Sequence, residues 1–210
     1  MGRRMVGATA EDSRELLIGA AVEGIAAHGY DRVRLRDIGA IAGVTTGMIQ
    51  HYFASREDLL LAALERLGTE QIEAARRIYR DEPDPWRRLT ALIEQVAAGP
   101  DGERRCAAWL DLCARATRDP RIRASLVRVT GEWRKHLTET IQDGAAAGVF
   151  TPAFDRDELA NVLMAAIDGC EMSVGNGAGV VDAPGARRIL LHLAATLTGI
   201  DSSRTGIAPR

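Results

Sequence analysis

A single glycine, Gly43, stands between two short stretches that each carry apolar residues at helical spacing, and this restricts the fold more than any other feature. Upstream lie Leu35, Ile38 and Ile41; downstream lie Val44, Ile49 and Phe53. Spacings of three and four predict two short helices, near 34–42 and 45–52. Glycine supplies the permissive backbone that a tight turn between crossing helices needs. Val44, Ile49 and Phe53 can face a core onto which Ile38 and Ile41 pack. Thr45, Thr46, Gly47, Met48, Gln50, His51 and Tyr52 are left to cover the surface. The segment reads as a helix-turn-helix.

The uncovered residues have a definite chemistry. A helix face bearing Thr, Gln, His and Tyr, opened by threonine and glycine, fits a major groove. Gly47 lets a backbone approach closely, Gln50 can pair with a base edge, and hydroxyls can bind phosphates. Charge does not announce a general polyanion binder: the chain carries a formal −2, and residues 1–60 hold seven Arg against eight acidic residues. A few aimed contacts need only a locally positive face.

The rest of the chain is also helical in pattern. Hydrophobic residues make up 46% and aromatics 4%, and strand-type alternation is absent, so the fold class is all-α. Thr9–Asp12 has the form of a capping box and opens a helix to about residue 27. Ser55 starts a long helix to about residue 80, followed by the break at 81–85. Further helices are expected at 85–98, 103–118, 120–147, 155–175 and 184–199. The organisation expected is a DNA-binding domain over 9–54, a C-terminal domain over 55–201 whose first helix, 55–80, connects the two, and a flexible tail over 202–210. Cys106, Cys113 and Cys170 form no C-x-x-C pair and read as reduced thiols. No apolar run approaches membrane-span length, and no signal-peptide pattern opens the chain, so a cytoplasmic protein with no membrane partner is expected. His28, His51, His136 and His192 are scattered without metal-ligand spacing, and no catalytic or nucleotide-binding motif is present. Neither an enzyme, a metal nor a cofactor is expected.

The motif positions can be compared with a known pattern. Asp37-Ile38-Gly39, Ala42-Gly43-Val44-Thr45, Gly47, Ile49, His51-Tyr52-Phe53, Arg56 and Leu59-Leu60 resemble the DNA-binding segment of the TetR family of regulators. Val44–Phe53 is most similar to the subgroup that contains the choline–betaine pathway repressor, and the segments at 109–120, 133–137 and 166–169 are similar to it too. The resemblance implies that Thr46, Gly47, Gln50 and His51 approach bases or flanking phosphates. It implies that Thr45, Tyr52 and Arg56 hold the DNA backbone. Two positions depart from the pattern. Gly39 replaces the usual alanine, at a helix cost of ~1 kcal/mol. Arg34 replaces a Thr or Ser cap but can still reach a phosphate.

The same resemblance implies partners: double-stranded DNA with a palindromic operator, a small-molecule effector, and a second copy of the chain. The expected function is a transcriptional repressor released from its operator by ligand. In such a family the last two long helices form the homodimer seam, here represented by Leu159, Leu163, Ala166, Ile189, Leu193 and Leu197. The effector pocket is expected among the helices from 85 to 175, lined by Trp109, Cys113, Trp133, Met164, Asp168 and Met172. A tryptophan beside Asp168 or Glu171 suits a cationic ligand through ring and charge contacts.

Overall fold

The computed structural model describes residues 9–97, 102–177 and 181–205, and all regular structure among them is helical. The helices are α1 (Ala10–His28), α2 (Leu35–Ala42), α3 (Thr46–Tyr52), α4 (Arg56–Asp81), α5 (Pro85–Ala97), α6 (Gly102–Ala116), α7 (Pro120–Ala146), α8 (Arg156–Gly175), α9 (Ala183–Thr198) and α10 (Ser202–Thr205). The chain gathers into two compact units. One holds residues up to Glu70 together with Arg115–Leu126; the other holds Gln71–Ala114 and residues from Val127 onward. A boundary at 54/55 separates the helix-turn-helix motif from α4, whereas the compact units divide within α4 and borrow a turn from later in the chain.

In the first unit, local sequence sets each helix end. The Thr9 hydroxyl accepts the Asp12 N–H at 3.1 Å, and the Asp12 carboxylate accepts the Thr9 N–H at 2.9 Å, completing the capping box. Two N–H groups that α1 cannot bond internally are thereby satisfied. Leu17, Ile18, Ala21 and Ile25 of α1 bury against a small core with Val33, Ile38, Ile49, Phe53, Leu59 and Leu60. Each large side chain removed from water contributes about 1.5–3 kcal/mol. This is how three short helices gain the stability they lack alone. Ile41, expected inside, stays 39% exposed.

In the second unit, one apolar core runs through α4, α5, α7, α8 and α9. Ile72, Trp86, Leu89, Ile93, Trp133, Leu137, Ile141, Leu159, Leu163 and Leu190 are among its buried members. Asp155 caps α8 by accepting the N–H groups of Asp157 and Glu158, and Asp182 caps α9 by accepting that of Gly185. Within the segment expected to be a tail, Ser202–Thr205 form α10, and the Trp86 indole N–H donates to the Thr205 carbonyl at 3.3 Å. Residues 206–210 lie outside the described residues.

Candidate functional site

The turn between α2 and α3 depends on two glycines. Gly43 adopts φ 70°, ψ 30°, the left-handed conformation that an L side chain rarely accepts, and ends α2. Gly39 is needed for space: a Cβ there would stand 2.7 Å from the Val44 carbonyl oxygen. Its departure from the family's alanine therefore allows a close turn, in which the Val44 N–H donates to the Gly39 carbonyl at 2.9 Å. Thr45 then starts α3, its hydroxyl accepting the Met48 N–H at 3.3 Å.

With the turn fixed, α3 sorts its side chains. Ile49 and Phe53 are buried, while Thr45, Thr46, Gly47, Gln50 and His51 are exposed along one surface. Tyr52 is half-buried and stands edge-on to the His51 ring at 5.1 Å. The Arg34 side chain is exposed too; no hydroxyl caps the first turn of α2, and the Asp37 carboxylate accepts the Arg34 N–H at 2.9 Å. The exposed row therefore offers hydroxyls, an amide and an imidazole, with a glycine among them.

Arg56 is placed differently from the other expected DNA contacts. Its Nε donates to the Val33 carbonyl at 2.7 Å and its Nη2 to the carbonyls of Tyr30 and Asp31, while Nη1 meets Glu57 at 3.1 Å. This guanidinium clamps the turn between α1 and α2. A second arginine reaches the same turn: Arg115 lies 4.2 Å from the Tyr30 ring centroid and pairs with Asp31. Arg121 joins Asp58 at 3.0 Å. Sequence reading missed this brace, since nothing in the local pattern around Arg115 or Arg121 points to α1 or α4.

The second candidate site lies in the other unit, where α6 meets α8. Gly175 permits the approach: a Cβ there would fall 2.7–2.9 Å from backbone atoms of Cys106 and Ala107. One end of the seam is a narrow recess lined by Cys106, Ile167, Cys170, Glu171, Val174 and Leu190. Further along, the Trp109 indole donates a hydrogen bond to Asp168. Burial pushes the Glu171 carboxyl up to about 7, reinforced by the Asp168 charge and opposed by Arg105. Asp168, which reaches the surface, is raised as well, partial burial outweighing the Trp109 bond that lowers it. Cys113 is pushed to about 11 by burial and by both carboxylates, and burial raises Cys106 and Cys170 too. A raised thiol holds less of the thiolate, which is the reactive form.

The six expected pocket residues divide. Trp109, Cys113 and Asp168 come together beside Glu171 and Arg105. Trp133 instead fills the main core at 5% exposure, Met164 packs on that core, and Met172 is exposed. Glu171 was legible from its spacing, three residues after Asp168 in a stretch, 162–175, that carries no other charge. The expected seam residues divide too. Leu159 and Leu163 are fully buried within the chain's own core, and Ala166, Leu193 and Leu197 pack on it in part. Ile189 is exposed, as are Val162 and Met172, which were not among the expected six.

Comparison with known proteins bears on both sites. Residues 17–63 match the model of bacterial regulatory proteins of the tetR family, and residues 85–199 match the BetI-type transcriptional repressor C-terminal domain. The HTH-type transcriptional regulator BetI of Rhizobium meliloti is 29% identical over 157 residues, 74% of each chain. CymR of Pseudomonas putida is 28% identical over 162 residues, 77% of each. Among solved structures, a putative transcriptional regulator from Saccharomonospora viridis, crystallised in complex with choline, has a TM-score of 0.78 at 29% identity, covering 86% of this chain and 94% of that one. A regulator from Haloarcula marismortui superposes with a TM-score of 0.79 at 22% identity, over 89% and 98%, and supports the fold. No helix among the described residues is long and apolar enough to cross a membrane. The chain belongs to the TetR family of transcriptional regulators, with a helix-turn-helix at its N-terminal end and a BetI-type repressor domain after it.

Proposed function

We propose that the chain is a homodimeric repressor that binds a palindromic operator through α3 and is released by a small quaternary-ammonium cation of the choline kind. The observation that carries the DNA-binding part is the sorting of α3: Gln50, His51, Thr46 and Gly47 face outward from a helix whose Ile49 and Phe53 are buried. Gln50 is the base-reading residue, Thr45, Tyr52 and Arg34 bind phosphates, and Arg56 acts by bracing the turn behind them. Two-fold symmetry would set the two reading helices about one DNA turn apart, roughly 34–36 Å.

The seam between copies is formed by the outward faces of α8 and α9, with Val162, Met172 and Ile189 as its exposed apolar residues. The effector part rests on Trp109, Asp168 and Glu171. An aromatic ring and two carboxylates attract a cation that lacks N–H donors, which rings bind well. The Saccharomonospora viridis relative, crystallised with choline, supports that ligand class. Fluorescence-anisotropy titration against the DNA upstream of the chain's own gene tests the reading. Specific binding lost in a dimeric Gln50→Ala variant is the result expected, and unaltered binding would refute the assignment.

A further inference from the structure

Resting on the DNA-binding reading above, we propose that Arg14 of α1 contacts a DNA phosphate at the C-terminal end of α3, in place of Arg56, which is committed to the α1–α2 turn. The guanidinium carbon of Arg14 lies 5.0 Å from the centroid of the Phe53 ring. Phe53 ends α3, its N–H donating to the Ile49 carbonyl at 3.0 Å. The stacked cation therefore stands beside the residue that follows His51 and Tyr52 on the reading helix.

Arg14 falls in register with Leu17, Ile18, Ala21 and Ile25, the inward stripe of α1, yet it is only half-buried. Among the described residues its guanidinium has no carboxylate or carbonyl partner. Carboxylates close to it in sequence are engaged elsewhere: Asp12 in the capping box, and Glu15 with Arg66 at 3.6 Å. Other arginines of this unit are bound to the protein itself. Arg56 donates to the carbonyls of Val33, Tyr30 and Asp31, Arg115 pairs with Asp31, and Arg121 pairs with Asp58 at 3.0 Å. Stacking on an aromatic ring uses the flat face of a guanidinium and leaves its in-plane donors open, the fork that fits a phosphate.

The dimensions agree. The 7 residues of α3 span about 10 Å, and a major groove is about 12 Å wide, so both ends of the helix come close to a phosphate row. A helix C-terminus carries partial negative charge and repels phosphate. A cation at that end offsets the repulsion, and the Phe53 ring holds it there before DNA arrives. A phosphate contact carries no base information and acts through released counterions, so its loss shows as a change in salt dependence. With one Arg14 in each copy of a dimer, removing the charge should flatten the slope of log affinity against log salt by about 1.8. Between about 50 and about 200 mM salt, the wild type should lose roughly 12-fold more affinity than a neutral variant.

Anisotropy titrations of the full chain across this salt range read the slope, on the duplex from upstream of the chain's own gene and on a random-sequence duplex of equal length. Arg14→Met keeps a long, soft side chain on the Phe53 ring and removes the charge. Arg14→Gln is a second neutral variant, and a native helical spectrum and thermal transition qualify either one. The result expected is a flatter slope on both duplexes, restored by Arg14→Lys, with the affinity ratio between the duplexes within about twofold of the wild type. A packing role alone would lower stability and leave the slope as it is. A wild-type slope in a folded neutral variant would overturn this inference and leave the operator reading standing. A reduced ratio between the duplexes at an unchanged slope would assign Arg14 to base reading and overturn it equally. Wild-type binding no tighter to the upstream duplex than to the random one would overturn the operator assignment, while the slope on the random duplex still decides the role of Arg14. Failure to bind either duplex would overturn both together.

Discussion

The reading head around α3 and the α6–α8 seam solve opposite problems with the same kind of helix. α3 keeps its polar side chains outside, where water satisfies them until DNA does, so its chemistry stands ready at no cost of burial. The α6–α8 seam instead sets Glu171 in a narrow recess, where burial pushes its carboxyl up to about 7, with Asp168 at the surface beside it. One site is presented and the other is withheld. The difference explains why substitutions in the two regions should be separable.

The largest separation is expected at Gln50. A good base-edge contact is worth about 1–3 kcal/mol, and a two-fold complex makes it twice, so Gln50→Ala should weaken operator binding roughly 100-fold or more. Choline affinity by calorimetry should stay within about twofold. A matching loss of choline binding would mean that the substitution disturbs more than the reading face.

The next effect runs the other way. Gly175→Val places side-chain atoms where the Cys106 and Ala107 backbone stands, which should push α8 from α6 and weaken choline binding at least about tenfold. Operator affinity without ligand should survive. Retained choline affinity would show that the seam is not the effector site.

Arg56→Lys sharpens the first region. A lysine keeps the positive charge but cannot fork to the carbonyls of Val33, Tyr30 and Asp31. Loss of charged hydrogen bonds should lower unfolding free energy by about 1–3 kcal/mol, read in a urea titration. A stability equal to the wild type would return Arg56 to the role of a phosphate contact.

These three variants also mark how far the sequence alone could be read. The helix-turn-helix was legible because Gly43 and the apolar spacing around it are local, and so was the capping box at Thr9. The family pattern supplied the exposed row on α3. The brace of Tyr30 by Arg56 and Arg115 was not legible, since it joins distant parts of the chain. Nor could periodicity alone distinguish a stripe facing the chain's own core from one facing a second copy. Leu159 and Leu163 fit either pattern and belong to the core, whereas Val162 and Ile189 lie outside it. Of the tryptophans expected in a pocket, Trp109 meets Asp168 at the α6–α8 seam, while Trp133 fills the core, because a tryptophan fills a core as readily as it lines a pocket.

The smallest effect concerns stability and pH. The Glu171 carboxyl is raised from 4.5 to about 7 on folding. Its favourable contribution is therefore present below pH 4.5 and lost as pH rises through 7. Glu171→Gln carries no such loss, so its stability relative to the wild type should increase between pH 4.5 and pH 8, by about 1–2 kcal/mol after allowance for partial exposure. Parallel urea titrations at the two pH values check the sign. A constant difference would place the Glu171 carboxyl in ordinary solvent.

The coupling of the presented site to the withheld one is the centre of this account, and one titration addresses it. Operator DNA labelled with a fluorophore is titrated with the wild-type chain at pH 8, with and without saturating choline, in protein shown by calorimetry to bind it. A ligand that favours the released state should raise the operator Kd by about 5- to 150-fold, the usual span of allosteric coupling. An operator Kd unchanged by bound choline would contradict the account.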